Sequence, residues 1–307
     1  MLIPLLMSLA GLVGLFFGGE LLVRGAVGLA LKLGVSTLFT GLVIVGFATS
    51  MPEMAASIQA VIADSPGIAW GNIVGSNLAN TLLILGVTAL VLPITLSRAG
   101  VRDAVIALAA TLILAGLAFS QMAGVWLGAA MLVGILVYVV FSYLWPAPDD
   151  DDEEEEEGPS SFWAAGLFFL AGLGILVLSG NILVDGSIQL ARLWGVSEAV
   201  IGLTIIAVGT SLPELAASIV AALRGKSALA IGNVVGSNIY NILLIGGTTM
   251  VLAPEKLPAD VGGIQMWLLI GSAVLLLGLL IFAKKIGRVL GAILTAGFVA
   301  NVVFVFG

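Results

Sequence analysis

The sequence predicts an all-α membrane protein of ten transmembrane helices, arranged as two inverted five-helix repeats with broken helices 2 and 7. Three observations support this prediction. The 307 residues are 60% hydrophobic and only 9% charged, against roughly 25% charged residues in an ordinary soluble domain. Ten apolar runs are long enough to cross a bilayer, which takes about 20 residues. The two halves of the chain also match each other at an offset of 161 residues.

The spans are predicted from apolar runs between charged, glycine or proline breaks. The first run has no preceding Lys or Arg and no cleavage signature, so we interpret it as a retained helix and not as a signal peptide. The ten runs are 2–22, 38–62, 69–92, 102–120, 123–145, 162–182, 199–222, 229–252, 264–283 and 287–306.

Orientation is predicted from the distribution of Lys and Arg, which are enriched in cytoplasmic loops. Loops 1–2, 3–4, 5–6, 7–8 and 9–10 fall on one side of the membrane and hold nine basic residues, whereas the other side holds only Arg192 and Lys256. We therefore expect an integral protein of the plasma (inner) membrane, surrounded by lipid, with both termini outside the cytoplasm.

A run of nine consecutive acids, Asp149–Glu157, lies between Pro146 and Pro159. Like-charge blocks of this kind are usually disordered. We interpret the run as a solvated cytoplasmic linker, with a weak divalent-cation attractor as the alternative. The expected domains are a first five-helix repeat at 1–145, the acidic linker at 146–161 and a second five-helix repeat at 162–307.

The repeat is strongest around two segments of each half. Residues 34–57 match 195–218 at 13 of 24 positions, and residues 71–86 match 232–247 at 11 of 16. Because each half has five spans, an odd number, the halves must cross the membrane in opposite senses. Inverted repeats of this type are common in secondary transporters, which bind their cargo near the midplane. The identities concentrate at polar residues within apolar spans, which packing alone would not select.

Two glutamates, Glu53 and Glu214, occupy equivalent positions deep within apolar runs. An ionisable residue at the centre of a membrane helix costs roughly 2.5–3.5 kcal/mol on insertion scales, so it is a functional candidate by default. The other acids are expected at span ends or in loops.

Each glutamate follows a hydroxyl pair and a proline at identical spacing. Proline lacks an N–H and clashes with the carbonyl four residues earlier, so it breaks the helix and frees backbone oxygens. A lone proline kink is more often structural, but two copies at one spacing favour a functional site. We expect freed carbonyls near Ala48 and Gly209. The hydroxyl groups are those of Thr49, Ser50, Thr210 and Ser211.

Spans 3 and 8 add amides and further hydroxyls on one helix face each. We expect Asn80 and Asn241 at the site, and interhelical hydrogen bonding for Asn72 and Asn233. Asn77 and Asn238 fit either role. The stripes are formed by Ser76, Asn77 and Asn80 on span 3, and by Ser237, Asn238 and Asn241 on span 8.

The combined inventory is two carboxylates with hydroxyl, carbonyl and amide oxygens, and no nitrogen or sulfur ligand. Such a set suits Ca²⁺, which takes 6–8 oxygen ligands, and also Na⁺, another hard cation. It suits Mg²⁺ less well and soft metals poorly.

At these residues the sequence resembles the cation/calcium antiporter superfamily, which includes the sodium/calcium exchangers. The resemblance rests on ATSMPEMAAS with GNIVGSNLANTLL, and on GTSLPELAAS with GNVVGSNIYNILL, and it extends over almost the whole chain. It implies a secondary antiporter that exchanges Ca²⁺ for Na⁺ by alternating access, with spans 2, 3, 7 and 8 enclosing the ions and spans 1 and 6 sliding across them.

The resemblance also implies a set of ion ligands. Glu53 and Glu214 would be shared between Ca²⁺ and Na⁺. Hydroxyl groups would come from Thr49, Ser50, Thr210, Ser211, Ser76 and Ser237, and backbone carbonyls from the neighbourhood of Gly46 and Ala207.

One departure from the family concerns charge. Some exchangers carry Asp where this chain has Asn80 or Asn241, so the exchange stoichiometry stays open, as does a H⁺/Ca²⁺ antiporter.

Two further classes are weaker alternatives. A cation channel needs a continuous pore, usually built by several subunits. An intramembrane hydrolase would need a positioned water and a substrate groove. With no Cys or His in the chain, disulfides, haem, Cys/His zinc sites and nucleophile–histidine catalysis are excluded. We expect no enzymatic activity, no cofactor and no required protein partner. The net charge of −7 argues against nucleic acid.

Overall fold

The computed structural model describes residues 1–147, 159, 161–195, 207–254, 257 and 263–306. Within these residues the protein is mostly helical, and eight helices are long and apolar enough to cross a membrane. Two shorter apolar helices coincide with the seventh and tenth predicted spans. In chain order the helices are α1 (Leu2–Leu33), α2 (Thr37–Ile62), α3 (Pro66–Val91), α4 (Arg98–Ser120), α5 (Val125–Leu144), α6 (Phe162–Leu193), α7 (Leu212–Leu223), α8 (Ser227–Leu252), α9 (Ile264–Phe282) and α10 (Arg288–Phe306).

The first and sixth helices are longer than predicted. We expected ends near residues 22 and 182, but α1 continues to Leu33 and α6 to Leu193. The charged residues that were taken as breaks are accommodated within the helix, since Arg24 donates to Glu20 one turn earlier at 2.7 Å. Glu20 and Asp185 therefore lie within α1 and α6, and their expected places at span ends or in loops were wrong. A 32-residue helix is about 48 Å long, which exceeds the roughly 30 Å hydrocarbon core.

The two long helices pack against each other through glycines. A Cβ placed on Gly11 would lie 2.7 Å from Cβ of Leu183. At an offset of 161 residues the same contact recurs, because a Cβ on Gly172 would clash with the backbone of Leu22. Small residues let two membrane helices approach closely. The glycines on this contact are Gly11, Gly14, Gly18, Gly25, Gly172 and Gly186.

Helices α2, α3, α7 and α8 form the centre of the molecule. In α8, 89% of an apolar 18-residue stretch is buried, the highest share among the eight long helices. The outer helices cover this centre: α9 packs on α4, α5 packs on α8, and α10 packs on α3. Most of the buried polar side chains lie on the four central helices. The bundle thus surrounds a polar interior with apolar helices.

Three loops meet at one end of the bundle. The loop after α3 and the loop after α9 form a two-stranded antiparallel sheet, β1 (Ile94–Thr95) with β2 (Lys285–Ile286). The backbone N–H of Thr95 donates to Ser227 Oγ, at the start of α8, at 3.3 Å. These are loops 3–4, 7–8 and 9–10, which were expected on one side of the membrane, and they lie at the same end of the bundle. The acidic run Asp149–Glu157 lies outside the described residues.

One acid outside the central helices is also buried. Asp103, in the first turn of α4, is fully buried. It accepts a hydrogen bond from Arg102 at 3.1 Å and one from the Tyr138 hydroxyl at 3.2 Å. Asp103 thus lies at a span end, as expected of the acids other than Glu53 and Glu214, but it is buried as they are. A neighbouring guanidinium and a phenol on another helix compensate this burial, and the tyrosine contact cannot be inferred from sequence spacing.

Candidate ion-binding site

The span α2 is divided at Ser50, and the helical segment that carries Glu53 begins just after this residue. A short helix, Gly46–Thr49, ends immediately before Ser50, and a second one, Met51–Ile62, follows it. Pro52 lies in the first turn of the second helix, where its missing N–H leaves no intrahelical bond unmade. Glu53 lies in the same turn, so its carboxylate is next to the positive end of the helix dipole.

The second half repeats this arrangement. Ala207–Gly209 is helical, Thr210 and Ser211 form a turn, and α7 begins at Leu212 with Pro213 and Glu214 in its first turn. Each glutamate is thus presented at the start of a helix that begins inside the bundle. The residues before Ala207 and the side chain of Ala207 itself lie outside the described part of the chain.

The two turns meet across the halves of the molecule. The Ser211 hydroxyl donates to Glu53 Oε1 at 3.1 Å, although the two residues are 158 positions apart. The carboxyl groups of Glu53 and Glu214 lie within electrostatic range of each other. Both side chains are 1% exposed. Two adjacent buried carboxylates repel each other when both are ionised, and a cation between them removes that repulsion.

A matched pair of asparagines fixes the glutamate backbones. Asn72 Nδ2 donates to Glu53 O at 3.2 Å and to Ser57 Oγ at 3.0 Å. Asn233 Nδ2 donates to Glu214 O at 3.2 Å and to Ser218 Oγ at 3.0 Å. These are the interhelical hydrogen bonds expected of Asn72 and Asn233. They leave the carboxylates themselves available.

The remaining hydroxyls of the predicted set lie around the same turns. Thr49 donates to Val45 O at 3.0 Å and is 3.1 Å from Asn233 Oδ1. Ser76 Oγ is 3.4 Å from Asn72 Oδ1. Ser237 Oγ reaches the Gly46 carbonyl at 3.5 Å, and that carbonyl also accepts the Ser50 N–H at 3.2 Å. The Gly46 carbonyl is therefore at the crossing of α2 and α8, but it is already hydrogen-bonded.

Helices α3 and α8 each contain a π-helical turn at the predicted amide. The turn Ala79–Ile84 includes Asn80, and the turn Tyr240–Gly246 includes Asn241. The first turn packs on α7 and the second on Met51–Ile62, so each contacts the glutamate-bearing helix of the other half. Single π-helical turns inside α-helices are frequent at functional sites.

Seven buried oxygens in this region have no hydrogen-bond partner among the described residues. Buried polar atoms are hydrogen-bonded in the large majority of cases, so such a concentration needs an explanation. Two are carboxylate oxygens, two are hydroxyls and three are amide oxygens, and a hard cation could be coordinated by any of them. They are Ser50 Oγ, Glu53 Oε2, Asn77 Oδ1, Asn80 Oδ1, Thr210 Oγ1, Glu214 Oε2 and Asn241 Oδ1.

The two asparagines that fit either role differ in their hydrogen bonds. Asn238 Nδ2 donates to Thr81 Oγ1 at 3.1 Å, and Asn238 Oδ1 accepts from Asn80 at 3.1 Å. Asn77 instead donates to Ile73 O of its own helix at 2.7 Å. Thr81 was missed by the sequence reasoning. Its signal was a difference between the halves, because the residue equivalent to Thr81 is Ile242.

The donor set defines the kind of ion that fits. Carboxylate, hydroxyl and amide oxygens are hard ligands. Among the described residues no group of three or more His, Cys, Asp or Glu is present, so the paired glutamates supply the negative charge of this region. A helical membrane protein that encloses such oxygens between its helices belongs to the class of membrane proteins that move cations.

Comparison with known proteins identifies the family. The family model described as sodium/calcium exchanger protein matches residues 3–144 and 164–307. A putative antiporter, CaxA of Alkalimonas amylolytica, is 35% identical over 97% of both chains. The sodium/calcium exchanger MaX1 of Methanosarcina acetivorans is 32% identical over 98% of both chains. The chain therefore belongs to the sodium/calcium exchanger family, and the resemblance drawn from its motifs is confirmed.

A solved structure agrees in fold. The sodium-calcium exchanger NCX_Mj, soaked with zero Na⁺ and Ca²⁺, superposes with a TM-score of 0.84 at 27% identity, covering 99% of each chain. The family consists of transporters.

Proposed function

We propose that the protein is a secondary antiporter that exchanges Ca²⁺ for Na⁺ across the membrane by alternating access. The observation that supports this most directly is the cluster of buried, unsatisfied oxygens around Glu53 and Glu214. A divalent cation between the glutamates would neutralise both, and Na⁺ ions could take the same oxygens in its place. Competition for shared ligands is a physical basis for exchange, because occupancy by one cation excludes the other.

The proposed architecture is two inverted five-helix repeats, 1–145 and 162–307, joined by the acidic linker at 146–161. The match of one family model to two blocks of the chain supports the division. So do the paired contacts of Asn72 with Glu53 and of Asn233 with Glu214. The helix starts and unsatisfied oxygens near Ser50 and Thr210–Ser211 support broken helices that meet between the repeats, where inverted-repeat transporters bind their cargo.

The proposed ion ligands are the full set predicted from the sequence. In the structure the carboxylates, the amides and five of the six hydroxyl residues of this set are buried, and Thr210 is half-buried. Glycines bring the backbones of α1 and α6 into close contact, which suits sliding across the site. The set comprises Glu53, Glu214, Thr49, Thr210, Ser50, Ser211, Ser76, Ser237, Asn80 and Asn241, with carbonyls at Gly46 and Ala207.

The proposed location is the plasma or inner membrane, with the basic loops in the cytoplasm. The distribution of Lys and Arg supports this orientation. An inner membrane protein of Escherichia coli, YrbG, is 28% identical over 97% of this chain and 95% of its own length.

The decisive test is Ca²⁺ uptake into proteoliposomes that contain the purified protein. Uptake should start when an outward Na⁺ gradient is imposed and should stop when a Na⁺ ionophore collapses it. A proton ionophore at constant Na⁺ should leave the initial rate unchanged. Uptake that ignores Na⁺ and follows a pH gradient would overturn Na⁺ coupling in favour of H⁺/Ca²⁺ antiport.

A further inference from the structure

Three polar side chains connect α3 and α8 in a hydrogen-bonded relay. Asn80 Nδ2 donates to Asn238 Oδ1 at 3.1 Å, and Asn238 Nδ2 donates to Thr81 Oγ1 at 3.1 Å. Asn80 and Thr81 are each 1% exposed and Asn238 is 6% exposed. The relay therefore starts on α3, crosses to α8 and returns to the next residue of α3, without access to bulk solvent.

The direction of these hydrogen bonds decides which end of the Asn80 amide, the oxygen or the NH₂ group, points away from Asn238. A side-chain amide has a donor end and an acceptor end. Because Asn80 Nδ2 is committed to Asn238, its Oδ1 points elsewhere, and this oxygen has no hydrogen-bond partner among the described residues. If the relay ran in the opposite direction, Asn80 would present its NH₂ group there. An amide oxygen can coordinate a cation, whereas an NH₂ group cannot.

The two halves differ at this relay. At the offset of 161 residues, Asn77 corresponds to Asn238 and Ile242 corresponds to Thr81. Isoleucine offers no acceptor, and Asn77 Nδ2 is directed to Ile73 O of its own helix at 2.7 Å. The same amide thus stays on its own helix in one half and crosses to the opposite helix in the other. The hydroxyl at position 81 accounts for this difference.

We propose that Thr81 is a positioning residue of the ion site: by accepting the Asn238 amide it sets the direction of the Asn238–Asn80 pair, so that Asn80 presents its oxygen to the transported cation. The proposal rests on the proposed function, because it assumes that Asn80 Oδ1 is a cation ligand. Thr81 itself acts only through Asn238.

The test compares Thr81→Val, which keeps the shape and removes the acceptor, with Thr81→Ser, which keeps the hydroxyl. The matched control is Ile242→Val, a small change at the equivalent position of the other half. Ca²⁺ binding to detergent-purified protein is measured by titration calorimetry, and the KM for Ca²⁺ and the maximal rate are measured in proteoliposomes.

Loss of one well-oriented ligand should raise the Kd and the KM for Ca²⁺ of Thr81→Val roughly tenfold, with a much smaller change in the maximal rate. Thr81→Ser and Ile242→Val should stay within about twofold of the wild type, a difference of about 0.4 kcal/mol. If Thr81→Val does not fold, Thr81→Ala removes the same acceptor without adding bulk and carries the same expectation.

Unchanged Ca²⁺ affinity in Thr81→Val would overturn the proposal. So would an equal loss in Thr81→Ser, because it would assign the effect to packing of the threonine methyl group. The proposed function is tested separately by the wild type. A wild-type protein that binds Ca²⁺ but does not exchange it for Na⁺ would contradict the coupling, while the binding comparison would still decide the role of Thr81.

Discussion

Asn72 and Asn233 hold the two glutamate backbones with the same hydrogen bonds, yet the helices that carry these asparagines are packed differently. On α8, a Cβ at Gly232 would lie 2.7 Å from Leu38 O of α2. The equivalent Gly71 on α3 is exposed, with no described atom within 4 Å of such a Cβ. Among the described residues the halves therefore share the chemistry around the glutamates and differ in the packing of α3 and α8; residue 199, which is equivalent to Leu38, lies outside the described part of the chain.

This difference has a physical meaning for an antiporter. If the two inverted halves were packed alike, the site would be related in the same way to both sides of the membrane. Access to one side at a time requires the halves to differ, and alternation exchanges their arrangements. Such a cycle needs a polar centre that both halves share and helix packing that differs between them, because the ligands must be kept while the surrounding contacts change.

The largest expected effect tests whether Glu53 and Glu214 contribute equally to transport. Glu53→Gln and Glu214→Gln should each lower the initial rate of Na⁺-driven Ca²⁺ uptake by at least about 100-fold, because removing one member of a buried charge constellation typically costs 3–5 kcal/mol. The reason is that each variant leaves one carboxylate to balance a divalent ion. Uptake into proteoliposomes at matched protein density measures the effect.

A matched control for these variants is Asp64→Asn, which makes the same chemical change at an exposed position between α2 and α3. Asp64 has φ 55, a conformation that Asn also tolerates. This variant should transport at the wild-type rate. Wild-type transport by either glutamine variant would remove that glutamate from the site and would show that the halves are chemically unequal.

The second prediction concerns packing. A Cβ on Gly236 of α8 would clash with the Leu42 carbonyl of α2, whereas the equivalent Gly75 of α3 is exposed and no described atom lies within 4 Å of its Cβ. Gly236→Ala should lower the free energy of unfolding by about 1–3 kcal/mol, the usual range for overpacking. Gly75→Ala should be neutral or slightly stabilising, since Ala is the better helix former.

Thermal unfolding in detergent, followed by tryptophan fluorescence, compares the two alanine variants directly. The pair is internally controlled because the residues are related by the repeat and the substitution is identical. Equal melting temperatures for Gly75→Ala and Gly236→Ala would contradict the packing difference between the halves.

The parts of this molecule that could be predicted from sequence follow from local signals. The ends of α3, α5 and α9 fall within three residues of the predicted limits, because charged or proline residues terminate those apolar runs. The glutamates and amides were found because the repeat marks them. The full lengths of α1 and α6 were missed, since charged residues that follow the predicted ends were taken as breaks, although both helices continue past them. The burial of Asp103 was missed because Tyr138 is supplied by another helix.

The hydrogen-bond directions of the asparagine side chains could not be predicted from the sequence, for a related reason. Asn77 and Asn238 are identical residues in matching segments, so nothing local separates them. Asn238 donates to Thr81 of the opposite helix, whereas Asn77 donates within its own helix, and the residue equivalent to Thr81 is Ile242, which offers no acceptor. Sequence symmetry therefore predicts the members of the site, whereas the departures from symmetry determine how each member is oriented.

The smallest expected effect comes from an ion pair between the halves that has no counterpart at the repeat-equivalent positions. Glu20 of α1 accepts hydrogen bonds from Arg24 and from Arg224, which follows the end of α7. The residues equivalent to Glu20 and Arg224 are Asn181 and Ala63, which cannot form such a pair. The contact joins a long outer helix to a central helix, and its side chains are 16% and 30% exposed.

Glu20→Gln should therefore lower the free energy of unfolding by less than about 1 kcal/mol, because partly exposed ion pairs contribute little. The melting temperature in detergent should fall slightly at low ionic strength, and the difference from the wild type should shrink in about 1 M salt, where charges are screened within roughly 3 Å. Asp185→Asn, at an exposed position of α6, should leave the melting temperature unchanged at both salt concentrations.

A loss in Glu20→Gln that is as large as that of Gly236→Ala, or that does not depend on salt, would show that Glu20 stabilises the α1–α7 contact by packing or by a buried charge. In that case the Glu20 contact would contribute more to the asymmetry between the halves than a partly exposed ion pair does.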